Sequence, residues 1–301
     1  MKIKSSLFII SLFVSFYAFS KPIQITHMLG NTKLESEPQR VVVIGLGTLD
    51  ALDAFAIEPV AITKSMHLPD YLRKYQDPKY ASSGSLFEPD FETIYMQKPD
   101  LIITGPRASS SYAELSKIAP TVVFANDENK GYWESTQQQW RNLGLIFNIE
   151  EKVEKKIQAI NADMQVIQEY NKNYNEGALI VMTSGGNVTA FGEKSRFSAI
   201  YQDFGFKQAS RITNSSRHGD LISYEFISKT NPDILFVIDR DTLLNKDKVS
   251  TVDNFSNELI KTTLAYQKRR IVLLDLNAWY LAMAGVTATE QMIKDVYRLL
   301  P

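Results

Sequence analysis

Phe91-Glu92-Thr93-Ile94-Tyr95-Met96-Gln97-Lys98-Pro99-Asp100-Leu101-Ile102-Ile103 and Tyr224-Glu225-Phe226-Ile227-Ser228-Lys229-Thr230-Asn231-Pro232-Asp233-Ile234-Leu235-Phe236 are two copies of one pattern. Glu, Ile, Pro and Asp recur at the same spacing in both. Each copy is read as a short amphipathic helix opened by a glutamate, stopped by Pro-Asp, and followed by an apolar run of buried-strand type. The repeat predicts two similar α/β lobes, and two such lobes leave a cleft between them where a ligand can bind.

The segments around the copies extend the scheme. Arg40-Val41-Val42-Val43-Ile44 is expected to be a buried strand, Gly45-Leu46-Gly47-Thr48 a turn, residues 49–55 a helix and residues 57–62 a returning strand. After the midpoint the order is expected to recur, with a strand at 178–182, a turn at Thr183-Ser184-Gly185-Gly186 and a helix at 198–204. Strands alternating with helices argue for right-handed βαβ units, and so for Rossmann-like lobes with mainly parallel sheets.

Residues 150–174 lie between the lobes and are the most periodic stretch of the chain. Val153, Ile157, Ile160, Met164 and Ile167 follow one another at steps of four, three, four and three, which lays one apolar stripe along a helix. A helix of that length would be about 37 Å long and could connect both lobes. A surface helix within one lobe is the alternative. As a connector it would restrict closure to small rocking movements. The expected division is a signal peptide at 1–20, a first α/β lobe at 21–148, a connecting helix at 149–175 and a second α/β lobe at 176–301.

The segment 1–20 reads as a secretory signal because Lys2 and Lys4 precede an apolar run from Leu7 to Phe19, with Ala18-Phe19-Ser20 before Lys21. The run is shorter than the roughly 20 residues needed to span a bilayer, so a soluble exported protein is expected. The chain has no cysteine, which excludes disulfides, thiolate metal sites and a lipid-attachment cysteine. A free periplasmic monomer is the expectation. Without Lys2 and Lys4 there are 31 basic and 34 acidic residues, a balance that offers nothing to a nucleic acid.

Enzyme signatures are missing. Gly45-Leu46-Gly47 lacks the third glycine of a dinucleotide fingerprint, and Gly185-Gly186 has no following Lys-Ser/Thr. His27, His67 and His218 are the only histidines and form no zinc-type cluster in sequence. No Gly-x-Ser-x-Gly elbow occurs. The chain is not expected to be an enzyme or to carry an intrinsic cofactor.

The repeat, the central helix, the Arg40–Ile44 opening and Trp279-Tyr280-Leu281-Ala282 ahead of a C-terminal helix together resemble the iron-siderophore periplasmic binding proteins of ABC importers. The likeness runs from about residue 23 to 301. It is nearest the branch that takes catecholates such as enterobactin, petrobactin, vibriobactin and anguibactin. The resemblance implies two lobes on a helical backbone, a ferric siderophore as ligand, and an inner-membrane permease dimer as partner. Another chelate on the same fold (a hydroxamate siderophore, haem or cobalamin) and a secreted α/β hydrolase are the alternatives.

A ferric catecholate carries up to roughly three negative charges, too costly to bury unless cations meet it. Arginine suits that task because its planar fork stays charged and can stack on rings. Arg107 follows a first-lobe strand and Gly105-Pro106, Arg240 follows the matching second-lobe strand, and Arg196 ends the loop Phe191-Gly192-Glu193-Lys194-Ser195. The resemblance implies that these three hold the catecholate oxygens; ordinary surface ion pairs are the alternative. By the same resemblance, His218 and Tyr280 would complete the coordination of Fe(III) when a bis-catecholate leaves two positions open. An exposed loop histidine and a core-capping tyrosine are their plain alternatives. Trp133 is the candidate for an aromatic wall, while Trp140 is read as core. The resemblance also implies that Glu92 and Glu225 dock onto permease arginines, one per lobe, although a glutamate in a first helical turn is also favoured by the helix dipole.

Overall fold

The computed structural model describes residues 22–64, 67–127, 130–209, 218–243, 255 and 257–300. The expected signal segment 1–20 lies outside the described residues. Among the described residues no helix is long and apolar enough to cross a membrane.

An antiparallel hairpin, β1 (Ile23–His27) and β2 (Gly30–Leu34), precedes the first lobe. That lobe is built on β3 (Val41–Ile44), β4 (Ala61–Ile62), β5 (Ala81–Ser82), β6 (Leu101–Thr104) and β7 (Thr121–Val123). The strands lie in the order β5-β4-β3-β6-β7 and all pairs are parallel. Strand order reverses between β3 and β6, so a crevice opens at their carboxyl ends, where α/β sheets gather ligands. Gly45 and Gly105 stand at those two ends. A Cβ added to Gly45 would lie 3.2 Å from the Cα of Gly105, so the glycines let the two chain exits pass each other. The helix Leu46–Ala54 starts directly after Gly45, earlier than the expected turn at 45–48.

The second lobe holds β8 (Gly177–Ser184), β9 (Asn187–Phe191), β10 (Lys207–Gln208), β11 (Asp220–Ile222), β12 (Ile234–Asp239) and β13 (Ile271–Leu273). β12 runs parallel to β8 and β13, while β9 and β11 extend the sheet antiparallel. The two lobes therefore differ where the sequence predicts a repeated order. Gly185 and Gly186, at φ +60° and +81°, close a two-residue hairpin from β8 into β9 in place of a strand-to-helix turn. Paired positive-φ glycines suit the mirror-image turns that match strand twist.

The Pro-Asp signature has the same task in both copies. Asp100 accepts from the amides of Gln39 and Arg40 at 2.7 and 2.8 Å, tying β6 to the start of β3. Asp233 accepts from the amide of Gly177 at 3.0 Å, tying β12 to the start of β8. Ile94 and Ile227, matched in the repeat, are both fully buried. The short helices they belong to, Phe91–Met96 and Tyr224–Thr230, are capped by Asp90 and Ser223, with Glu92 and Glu225 one residue inside the first turn.

The connecting helix is Glu150–Tyr174, 25 residues long, and its stripe Val153, Ile157, Ile160, Met164 and Ile167 is at most 2% exposed. Lys152 donates to the carbonyl of Phe55 in the first lobe, while Gln168 and Asn171 donate to the carbonyls of Asp203 and Phe204 in the second. The stripe belongs to one apolar core that continues into both lobes and the C-terminal helix Val286–Tyr297. Burying that stripe favours a fixed strut, since each such side chain contributes about 1.5–3 kcal/mol when removed from water.

Candidate ligand-binding site

Arg107 and Arg240 occupy matched positions at the carboxyl ends of β6 and β12. Arg107 lies in the turn Pro106–Ser111 after Gly105, and the amide of Arg240 donates to the carbonyl of Thr183 at 3.1 Å, which seats Arg240 beside the end of β8. Arg196 arrives from the loop after β9. All three meet on one ring. The Cζ atoms of Arg107, Arg196 and Arg240 lie 5.3, 4.5 and 5.5 Å from the centroid of Tyr280. Arg107 and Arg196 also donate to the Tyr280 carbonyl at 2.9 and 3.5 Å, and Arg240 donates to the Ser184 hydroxyl at 3.3 Å.

By these distances no two guanidinium carbons are more than about 11 Å apart, an upper bound of about one and a half Debye lengths at physiological salt, and partly buried charges are screened less than exposed ones. Their repulsion is therefore only partly screened. The ring face, negative in its quadrupole, and the carbonyl offset it. Together the arginines form a concentrated positive patch between the lobes.

Tyr280 is placed by a segment anchored at both ends. Its wide turn is closed by the amide of Ala282 donating to the carbonyl of Asn277 at 2.7 Å. At the entry, Asp275 accepts from the amide of Ala278, and the buried Asp295 accepts from the amide of Asp275 and the indole of Trp279. At the exit, the amide of Ala284 donates to the Tyr132 hydroxyl, and its carbonyl accepts from Trp140 at 2.8 Å. Gly47 lies directly under the Met283 carbonyl, where a Cβ would collide. The Tyr280 segment, although far along the second half of the chain, thus rests on the first lobe.

Asp50 completes that seat. Its fully buried carboxylate accepts from the amides of Thr287 and Ala288, both at 2.8 Å, and from the Tyr71 hydroxyl at 2.8 Å. It therefore caps the C-terminal helix from the first lobe, where a negative group meets the positive end of the helix dipole. Burial pushes its carboxyl up to about 6, against the lowering effect of these donors. Asp203 makes the reverse crossing. It accepts from the amide of Trp133 at 3.3 Å, in the first turn of the helix Tyr132–Phe147, and burial pushes it up to about 6 as well.

The structure brings four of the expected residues together: Arg107, Arg196, Arg240 and Tyr280. His218 is exposed on a separate element, leading through Gly219 into the edge strand β11. Trp133 is a correction. It is 7% exposed, donates through its indole to Asn161 at 2.6 Å and packs edge-on against Trp140, so it is core and offers no wall to a cleft. Trp133 and Trp140 are seven residues apart on one helix, a spacing that places them on the same face. Glu92 and Glu225 are both exposed.

Two residues had escaped the sequence reading. Asp50 is the fully buried one of the two aspartates in the helix Leu46–Ala54, and a buried carboxylate there requires a partner that sequence order does not reveal. Phe87, 64% exposed, lies 5.9 Å from the Cζ of Arg107. Its only signal is an aromatic residue in a polar turn. Among the described residues no group of three or more His, Cys, Asp and Glu is placed to hold a metal ion. A recess of about 290 Å³ lies elsewhere, beside Glu225 and lined by Val188, Leu221, Tyr224 and Leu259; it contains none of the three arginines.

The chain is 40% identical over 277 residues to the petrobactin-binding protein YclQ of Bacillus subtilis, covering 91% of this chain and 87% of the relative. It is 34% identical over 281 residues to the ferric-anguibactin-binding protein FatB of Vibrio anguillarum, covering 92% and 87%. Among solved structures, the periplasmic catecholate-siderophore binding protein VctP from Vibrio cholerae superposes with a TM-score of 0.90 at 56% identity, covering 92% of this chain and all of that one. The periplasmic binding protein family matches residues 41–278. With a family match of that length over two lobes on a helical strut, the chain belongs to the periplasmic binding proteins.

Proposed function

We propose that this protein captures a ferric catecholate siderophore between its lobes and delivers it to an inner-membrane ABC importer. The observation that carries the reading is the convergence of Arg107, Arg196 and Arg240 on Tyr280. An anionic iron chelate needs that charge. A neutral hydroxamate complex would gain little from it and would have to desolvate three guanidinium groups. The similar proteins are named for petrobactin, ferric anguibactin and catecholate siderophores, in agreement with this ligand class.

Iron enters as cargo. When a bis-catecholate leaves two positions of Fe(III) open, His218 and Tyr280 are the donors that would fill them. Glu92 and Glu225 are the groups offered to the permease dimer, and both stand among exposed apolar side chains: Tyr95 and Met96 at 70% and 60%, and Leu221 at 72%. Exposed apolar groups around a charge suit a docking surface better than a plain solvated face. The protein would act as a periplasmic monomer exported by residues 1–20, and binding without catalysis is its role.

The test is titration of purified protein with an iron(III) bis-catecholate, an iron(III) tris-catecholate and an iron(III) hydroxamate. All three tryptophans are buried, so quenching will report energy transfer to the coloured complex rather than collision. Saturable quenching by the catecholates and none by the hydroxamate is expected. Indifference to both catecholates would overturn the reading.

A further inference from the structure

Arg107 lies between two rings, Phe87 at 5.9 Å and Tyr280 at 5.3 Å, and Arg196 lies between Tyr280 at 4.5 Å and Phe197 at 5.1 Å. Aromatic and guanidinium groups thus alternate: Phe87, Arg107, Tyr280, Arg196, Phe197. One end of the series, Phe197, is fully buried in the second lobe. The other end, Phe87, belongs to the first lobe and stays 64% exposed. The ladder crosses the cleft and terminates in an open aromatic face.

The backbone holds that face in place. The amide of Ser85 donates to the carbonyl of Glu88 at 2.9 Å, and the Ser85 hydroxyl accepts from the amides of Phe87 and Glu88 at 3.2 and 2.9 Å. Gly84, at φ +98°, pairs with Pro89 and is so tightly packed against the Glu88 carbonyl that a Cβ would collide. Residues 84–89 therefore form a closed turn with Phe87 at its tip. A lone exposed phenylalanine is ordinary on a protein surface. One pinned at the tip of a closed turn, beside a guanidinium of the binding patch, is placed to recognise something flat.

We propose that Phe87 is the cargo-contacting aromatic residue of the first lobe: it steadies Arg107 against Tyr280 and stacks on a catechol ring of the bound ferric complex. The inference rests on the catecholate reading above. It assigns to the 84–89 turn the wall that the sequence had assigned to Trp133, and it makes ring chemistry, beyond charge, a determinant of which chelate is held. Offset or edge-on aromatic pairs contribute enough to change affinity by roughly three- to tenfold.

The test compares wild type with Phe87→Ala, Phe87→Leu and Phe87→Tyr by fluorescence titration with an iron(III) tris-catecholate. Phe87→Ala and Phe87→Leu are expected to weaken binding three- to tenfold, and Phe87→Tyr to restore it, all with unchanged thermal unfolding because the side chain is mostly in water. Leucine keeps the apolar bulk without the ring, so wild-type affinity in Phe87→Leu would overturn the stacking role. Wild-type affinity in Phe87→Ala would overturn the whole inference while leaving the catecholate reading intact. Failure of the wild-type protein itself to bind would overturn both.

Discussion

Replacing Tyr280 by alanine separates the two roles available to that residue, a ring that organises cations and an oxygen that meets iron. The ring lies within 5.5 Å of three guanidinium carbons. Without it, Arg107 keeps a 2.9 Å bond to the carbonyl of residue 280, which alanine also provides. Arg196 keeps its 3.5 Å contact to that carbonyl and its place 5.1 Å from the Phe197 ring, and Arg240 keeps the 3.3 Å contact to Ser184. Both arginines lose the ring that helps fix their rotamers and must be ordered more fully when cargo binds. Ordering one such side chain costs about 0.5–1.5 kcal/mol, so Tyr280→Ala should lose about 1–3 kcal/mol of binding, roughly five- to 150-fold in Kd. Tyr280→Phe keeps the ring and should bind an iron(III) tris-catecholate within about twofold of wild type. With an iron(III) bis-catecholate, Tyr280→Phe should instead shift the visible charge-transfer band, because a phenolate donor is lost. The assay is equilibrium quenching beside an absorbance spectrum for each complex. If Tyr280→Ala binds the tris-catecholate as tightly as wild type, the ring does not organise the arginines; if Tyr280→Phe loses as much as alanine, the hydroxyl and not the ring is responsible.

Further outcomes follow from the same geometry. His218→Ala should alter the visible spectrum of the bis-catecholate complex and leave the tris-catecholate complex unchanged; an unaltered bis-catecholate spectrum removes the metal-donor role. Glu92→Arg with Glu225→Arg should abolish siderophore-dependent iron uptake by cells while leaving Kd for the ferric complex untouched, and unimpaired uptake would refute the docking role. Gly47→Ala forces a Cβ into the Met283 carbonyl and should cost about 1–3 kcal/mol, read as a lower Tm together with weaker cargo binding. Burial raises the folded-state pKa of Asp50 to about 6, above its ordinary value near 3.8, so the native state binds the proton more tightly than the unfolded chain. The contribution of this group to stability is therefore greatest below pH 4 and declines as pH rises to 6. Asp50→Asn should flatten that part of the Tm profile relative to wild type, and parallel profiles would count against the assignment.

How much could be read in advance depended on whether a residue's partners were periodic. The stripe Val153 to Ile167 and the matched pairs Ile94/Ile227 and Asp100/Asp233 announce themselves because each repeats at a helical step or a repeat interval. The arginines at the ends of β6 and β12 were accessible for the same reason. Trp133 was misjudged although its seven-residue distance from Trp140 marks a shared face. The second lobe departs from the first at Gly185-Gly186, where a pair of glycines permits either a strand-to-helix turn or a hairpin, and only the pairing of β9 with β8 distinguishes them. Phe87 and Asp50 carry no periodic signal at all.

The linear chain therefore determined two α/β lobes, a long helix between them and a set of cations at strand ends, since these follow from local periodicity and from where helices must stop. Tertiary structure alone decided that the Tyr280 segment rests on the opposite lobe, that three guanidinium groups share one ring, and that Phe87 lies exposed beside Arg107 while Trp133 is core. Those outcomes depend on contacts between residues as far apart as Arg107 and Tyr280, or Asp50 and Thr287. Such contacts are fixed by packing the shared core, and nothing in the neighbouring sequence specifies them.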